Sequence, residues 1–150
     1  MTGARNAAAF VSGVLTLVAC GGGAPTPPMP TAQPNVCEVS FVTPPGFERT
    51  DTFEERYPDR IGLRIGFRDE SGRELHAFAG IPGEFGEGLP EAGTVELVGG
   101  RTGRLAGGPH RVWVLTWDEG GLCDPRAVLG RGFGQGEFLD LLALAGVART

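Results

Sequence analysis

Cys20 has the sequence surroundings that point most directly to a chemical role. A cysteine thiolate is a nucleophile, so such a residue can be alkylated, oxidised or bound to a metal. Cys20 directly follows an apolar segment, residues 7–19, which ends in Leu17-Val18-Ala19. Arg5 precedes this segment. That segment has the length of a signal-peptide core and is too short to span a bilayer. The pattern predicts an export signal that ends immediately before Cys20.

The four residues Leu17-Val18-Ala19-Cys20 resemble the lipobox of bacterial lipoproteins. The resemblance implies that a diacylglyceryl group alkylates the Cys20 thiol and that a signal peptidase cuts after the small Ala19. Two or three acyl chains, at about 0.8 kcal/mol per buried methylene, then hold the new N-terminus on the membrane. We therefore expect a lipid-anchored protein of the cell envelope that faces away from the cytoplasm. A plain secretory signal and an uncleaved anchor are the alternatives.

The segment after Cys20 predicts a disordered spacer. Residues 21–36 contain five prolines and three glycines, which cannot build a core and favour an extended chain. The predicted organisation is a helical signal peptide at 1–19, a lipidated N-terminus and linker at 20–36, and one globular domain at 37–150. A chain of this length is enough for one domain.

Cys37 and Cys123 are left as an even pair once Cys20 carries lipid. In an oxidising compartment such a pair predicts a disulfide, which would close most of the globular part into one loop. Two unpaired buried thiols are the alternative. With only His76 and His110 available and no C-x-x-C, neither a zinc site nor a Cys-His nucleophile is expected.

Other groups of polar residues favour ordinary structural roles. His110, Asp118, Glu119 and Asp124 flank one predicted hairpin, where they could serve as metal ligands or an acid/base set. His110 lies at the opposite end of its strand from Asp118, and acidic residues are common near Gly-Gly turns. We expect no metal, no cofactor and no catalytic residue, while a hydrolase that uses Asp118 and Asp124 remains the alternative.

Two further motifs suggest anion sites and are interpreted more simply. His76 falls on an outer sheet face near Arg64, Arg68, Glu74 and Phe78, and cross-strand ion pairs account for such a group. Glycines in GRGFGQGEF precede a helix, as in phosphate-binding loops, but the P-loop lysine is absent. We interpret this stretch as a loop.

Composition argues against nucleic acid as a partner. The chain has 13 basic residues, all of them arginine, against 18 acidic residues, and its net charge is −5. The two signs are interspersed, so no basic patch is expected to bind nucleic acid or an anionic lipid surface.

The elements that must carry these residues follow a β pattern from Cys37 to Leu129, with short alternating segments between glycines and prolines. CEVSFVT (37–43) alternates as a strand would, with Val39 and Phe41 on one face. Residues 48–60 are highly charged and could form a turn or a short helix.

The element that the sequence predicts most clearly is a hairpin at residues 62–81. A three-residue loop, Glu70–Gly72, with Gly72 left-handed, places its apolar residues on one face. This register also puts Arg68 opposite Glu74 and Asp69 opposite Arg73. The residues that share the predicted face are Leu63, Ile65, Phe67, Leu75, Ala77 and Ala79.

The C-terminal part predicts further strands and one helix. Residues 94–108 form a strand, a glycine-rich turn and a short return, and RVWVLTWDE (111–119) is apolar on both faces, as a central strand would be. After another strand within LCDPRAVLG, apolar residues recur at helical spacing from Phe138 to Ala145, and Gly146 can end the helix. The fold class is α+β: a small antiparallel sheet with this helix packed on one face.

Residues 94–147 resemble the C-terminal unit of several extracytoplasmic bacterial domains of unknown function. They share a strand with Gly-x-x-Gly, a strand ending in Trp, a Gly turn, another strand and a Glu-initiated apolar helix, whereas Cys123 departs from that pattern. The resemblance implies a binding role, because such units accompany domains similar to lipoprotein carriers and anti-sigma partners.

The sequence contains no G-x-S-x-G or S-x-x-K nucleophile motif. We therefore expect the domain to bind an envelope protein or a small apolar ligand. A structural accessory subunit is a third possibility.

Overall fold

A computed structural model describes residues 23, 25–28 and 33–149 of the chain. The predicted signal peptide at 1–19 and the predicted lipidation site, Cys20, lie outside these residues. Residues 23 and 25–28 belong to no helix or strand. The fold described below lies within Ala32–Thr150.

Among the residues described, eight strands form one sheet, which is followed by a single α-helix, and a three-residue 3-10 helix, Pro109–Arg111, lies between two of the strands. The strands are β1 (Asn35–Val36), β2 (Phe47–Arg56), β3 (Arg60–Asp69), β4 (Glu74–Ala79), β5 (Glu91–Glu96), β6 (Thr102–Gly107), β7 (Val112–Trp117) and β8 (Arg126–Arg131), and the helix is α1 (Gln135–Leu144). In space the order is β2-β3-β4-β8-β7-β6-β5, with antiparallel neighbours, while β1 runs parallel to β3. The prediction of a small antiparallel sheet is corrected: the sheet is mixed, and the domain is mostly sheet.

The β3–β4 hairpin has the predicted register. Leu63 pairs with Ala79, Ile65 with Ala77 and Phe67 with Leu75. The Asp69 N–H donates to the Arg73 carbonyl at 3.1 Å across the three-residue loop, in which Gly72 has φ 82°. Both predicted charge pairs form, Arg68 with Glu74 and Asp69 with Arg73. The register that buries the apolar residues is therefore also the register that pairs the charged residues.

The predicted C-terminal elements are confirmed. β5 and β6 are the strand and the return of residues 94–108, and β8 is the strand within LCDPRAVLG. β7 lies between β6 and β8, and its successive residues Val114 and Leu115 are both buried, so both of its faces are covered. Helix α1 buries Phe138 and Leu142 completely. The Phe138 ring lies so close to the backbone of Gly130 in β8 that an added Cβ there would be 2.6 Å from it. The helix therefore packs on the sheet face to which Gly130 belongs.

The ends of α1 are fixed by its own sequence. At the start, the Gly134 N–H donates to the Glu137 carboxylate at 2.8 Å, which satisfies one of the free donors of the first turn. At the end, Gly146 has φ 76° and its N–H donates to the Ala143 carbonyl, as a helix-terminating glycine does. Residues 147–149 then run along the outer edge of β5, where Leu97 bridges with Ala148.

Two predictions about the N-terminal part of the domain are wrong. Residues 37–43 do not form a strand, although Val39 and Phe41 do pack together against the core. Residues 48–60 form no helix: 48–56 belong to the edge strand β2, and only 57–60 form a turn, in which the Tyr57 N–H donates to the Arg60 carbonyl at 2.8 Å. β2 and β4 occupy both edges of β3 from Leu63 onward, so the segment after Cys37 cannot continue the pairing of β1 with β3.

In the part of the chain that the structure describes, we find no helix with both the length and the apolarity needed to cross a bilayer.

Candidate ligand-binding site

A cleft lies on the same sheet face as α1, beyond the end of the helix. The helix contacts the sheet near Gly130, whereas Ala77, Val128 and Trp117, farther along their strands, line the floor of the cleft. The cavity has a volume of about 370 Å³. A helix of ten residues is only about 15 Å long. It therefore leaves one end of this face for other segments to cover.

Three segments that are distant in sequence form the walls of the cleft. One is the N-terminal stretch 39–41, the second is the turn between β5 and β6 at 97–101, and the third is formed by Gly146 and Val147 after the helix. Backbone hydrogen bonds hold the third wall to the second, because the Val98 N–H donates to the Val147 carbonyl at 2.9 Å. The lining combines apolar side chains, which include Ala77, Val128 and Trp117, with polar and charged groups in about equal measure.

Three charged residues lie at the cleft: Arg126, Glu119 and Arg101. Arg126 Nε is 3.0 Å from Oε2 of Glu119, and Arg101 Nη1 is 3.8 Å from the same oxygen. A single carboxylate is therefore shared by two guanidinium groups. Trp117 Nε1 donates to the other oxygen of Glu119 at 3.4 Å, which keeps this carboxylate beside the floor.

Arg126 is unusual in pointing into an apolar face. It pairs with Ala79 on one neighbouring strand and with Trp117 on the other, and its side chain is only 16% exposed. Its Nη1 donates to the Glu38 carbonyl at 2.7 Å. Its Nε is buried and makes no aligned hydrogen bond within the described residues, despite the nearby Glu119 oxygen.

The predicted disulfide between Cys37 and Cys123 is present, and Cys37 is two residues before Val39 in the first wall of the cleft. It joins residues 86 positions apart, and the two Cα atoms are 5.4 Å from each other. Cys37 is fully buried, and its Sγ lies against the backbone of Gly80, where a side chain would clash with it. The disulfide therefore fixes the start of the 39–41 wall to the loop that leads into β8.

The two carboxylates of the hydrolase alternative have different surroundings. Asp124 accepts the backbone N–H groups of Glu119, Gly120 and Gly121 at 2.7–2.9 Å. Burial would raise the pKa of Asp124, but these donors, helped by the charge of Arg126, lower it below its ordinary value. Asp118 is exposed and lines a separate cavity. Asp124 is thus engaged in holding a turn, and the pair does not share a cavity in which substrate could bind.

His76 lies on the opposite face of the sheet, as predicted. Burial is the main reason that the pKa of His76 is lowered. The charge of Glu74 acts to raise this pKa, and the charge of Arg64 acts to lower it. Arg64 Nη2 is 2.8 Å from Oδ2 of Asp51, and Arg68 pairs with Glu74. The guanidinium charges on this face are therefore largely neutralised by cross-strand carboxylates.

The glycine-rich loop before α1 binds a carboxylate of the same chain, that of Glu137. The Glu137 carboxylate occupies the helix N-terminus, and donation from the Gly134 N–H is the main reason that the pKa of Glu137 is lowered. Arg73 and Arg111 also pair with this carboxylate. Within residues 33–149, no cluster of three His, Cys, Asp or Glu side chains could hold a metal ion.

The charged residues of the cleft were not predicted as a group. The sequence favours a turn residue at Glu119 over a metal ligand or an acid/base group, and it assigns no role to Arg101 or Arg126. A signal for Arg126 does exist, because it is two residues before the buried Val128 on the same strand and must share its face. An arginine at an inward position of a strand is the feature that could have marked the site.

Comparison of the chain with protein-family models, with curated proteins and with solved structures finds no match.

Proposed function

We propose that this protein is a lipid-anchored component of the bacterial cell envelope whose folded domain binds a small apolar ligand. The lipobox-like Leu17–Cys20 and the Pro/Gly-rich residues that follow support the attachment and the location. The cleft supports the binding role, and it is the observation on which this part of the proposal rests.

The size of the cleft lies within the range of small-molecule sites, as do two other cavities of the domain, of about 320 and 380 Å³. The cleft differs from them in being lined by the sheet interior at Ala77 and Val128 together with Arg126. Small-molecule sites occupy about 300–1,000 Å³, are mostly apolar and carry a few placed polar groups. The cleft has about 370 Å³, an apolar floor at Ala77 and Val128, and charge at Arg126.

The other candidate functions are less well supported. A hydrolase would need Asp118 and Asp124 at one cavity, and Asp124 is instead bound to the backbone of its turn. A purely structural subunit would need no concave site. An envelope protein could insert an apolar side chain into the same cleft, and the tests below are designed around a free small molecule.

The attachment is tested by metabolic labelling with radioactive palmitate in a bacterial host that processes lipoproteins. The wild-type chain should become labelled and fractionate with membranes, whereas Cys20→Ala should remain unlabelled. Labelling that persists in Cys20→Ala, or an unmodified thiol at the mature N-terminus, would contradict the proposal.

The binding role is tested with N-phenyl-1-naphthylamine, a neutral fluorophore whose emission rises in apolar sites. We expect saturable binding of one molecule per chain. Ser40→Trp, which places a large ring on the wall of the cleft, should weaken binding at least tenfold. Thr43→Trp, an exposed neighbour outside the cleft lining, is the matched control and should bind as the wild type does. Unsaturable binding, or equal binding by both variants, would argue against a ligand in the cleft.

A further inference from the structure

We propose that the ligand of the cleft carries a single carboxylate, which Arg126 binds while the apolar part of the molecule lies on the floor. This inference rests on the proposed function and names the chemical class of its ligand.

The first argument is the placement of Arg126. Arginine is rarely buried unless its charge is paired and its donors are satisfied. Arg126 occupies an inward position between Ala79 and Trp117, with its side chain 16% exposed. A core position on this face would ordinarily hold an apolar residue, as Val128 does two residues later. The arginine therefore introduces a polar contact point into an apolar site.

The second argument is the number of donors that the described residues leave unused. A guanidinium has five N–H donors. Nη1 of Arg126 donates to the Glu38 carbonyl, and Nε lies near Glu119 without an aligned hydrogen bond. One aligned hydrogen bond thus engages the guanidinium among the described residues, and the side chain that carries the remaining donors lines the cleft.

The third argument is charge. Arg126 and Arg101 both line the cleft, and the Glu119 carboxylate is the acidic group among its lining residues. Asp124 is close enough to Arg126 for its pKa to be affected, but its oxygens are bound to three backbone N–H groups. A ligand carboxylate would restore the balance of two cations with two anions at the lining.

A carboxylate suits these donors better than a neutral polar group does. Arginine binds carboxylates through paired, charge-assisted hydrogen bonds, which are roughly twice as strong as neutral ones. The Ala77, Val128 and Trp117 floor can then cover an aliphatic or aromatic tail. Each methylene added to the tail should tighten binding about three- to fourfold until the cleft is full.

The experiment compares octanoate with 1-octanol as competitors of N-phenyl-1-naphthylamine at pH 7. The two probes have the same tail and differ in charge. We expect octanoate to displace the fluorophore at a concentration at least tenfold lower than 1-octanol. In Arg126→Gln this preference should fall to less than threefold, whereas Arg131→Gln, on the opposite face of the same strand, should retain it.

A second variant keeps the test valid if Arg126→Gln folds poorly. Glu119→Gln removes the anion that competes for the two arginines, so it should tighten octanoate binding at least threefold and leave 1-octanol unchanged. If octanoate and 1-octanol compete equally in the wild type, or if octanoate does not compete at all, the carboxylate inference is wrong while the apolar site stands. If the fluorophore itself finds no saturable site, the proposed function fails, and this inference fails with it.

Discussion

Asp124 illustrates how a single side chain organises the residues next to the cleft. Its carboxylate gathers the backbone N–H groups of Glu119, Gly120 and Gly121 and so shapes the turn that carries Glu119. Hydrogen bonds to a charged group stabilise a protein by about 1.5–3 kcal/mol, and by less where solvent has access. The Asp124 carboxylate therefore stabilises the conformation of this turn in addition to carrying a charge.

We expect Asp124→Ala to lower the free energy of unfolding at pH 7 by about 1–2 kcal/mol, since three backbone donors lose their acceptor. Because the pKa of Asp124 is lowered in the folded protein, its contribution is present above the ordinary aspartate range and is lost as the pH falls through the folded-state pKa. The difference between the variant and the wild type should thus shrink in acid.

Urea denaturation at pH 7 and at progressively lower pH measures this difference. Asp118→Ala is the control, because Asp118 is exposed and accepts none of these bonds. An Asp124→Ala variant as stable as Asp118→Ala at pH 7 would show that the turn does not depend on this carboxylate.

Of two glycines near the contact between α1 and β8, only Gly130 is required by the packing. A Cβ on Gly130 would meet the Phe138 ring at 2.6 and 2.7 Å and the Phe133 ring at 3.1 Å. A Cβ on Gly136, in the first turn of the helix, would meet nothing within 4 Å. The first glycine allows the helix to approach the sheet, and the second costs helix stability without a packing benefit.

We expect Gly130→Ala to destabilise the protein by about 1–3 kcal/mol, the usual cost of overpacking a core. Gly136→Ala should leave stability unchanged or raise it by about 0.5–1 kcal/mol, because alanine is the better helix former. Thermal unfolding followed by circular dichroism distinguishes the two. Similar effects of both substitutions would mean that the helix does not pack against β8 at Gly130.

Elements whose pattern combines independent signals could be predicted from the sequence. The β3–β4 register was fixed because apolar burial and the Arg68–Glu74 pair demanded the same alignment. β2 was missed because FERTDTFEER has almost no apolar alternation, as expected of an edge strand that exposes most of its residues. Residues 37–43 show the opposite error: they alternate as a strand does, but β4 already occupies the edge of β3 along which β1 would continue.

The cleft could not be predicted in this way. Its walls come from residues 39–41, 97–101 and 146–147, which meet only because the C-terminal tail pairs with the β5 edge and the first segment follows the disulfide. Local patterns describe each segment separately and carry no information on their convergence. The pairing of Cys37 with Cys123, by contrast, followed from simple counting.

For the molecule as a whole, the disulfide is expected to be the largest single contribution to stability that one substitution can remove. Closing a loop of 86 residues is worth about 4–5 kcal/mol on the chain-entropy model. We expect the double variant Cys37→Ala, Cys123→Ala to lose about this much in guanidinium denaturation, and wild-type protein treated with a reductant to behave similarly.

A wild-type domain that keeps its stability in reductant, with both thiols shown to be free, would contradict this expectation. Cys37→Ala alone is a less useful test, because it leaves Cys123 unpaired and able to react with other thiols.

The position of the disulfide also determines how a mechanical load would travel through the molecule. The chain enters the sheet at β1, and Cys37 follows immediately. Tension on the N-terminus therefore reaches a covalent link to the β8 side before it reaches Val39 and Phe41. Under oxidising conditions a chain pulled from its N-terminus can peel no farther than Cys37, so residues 39–41 keep their place on the wall of the cleft.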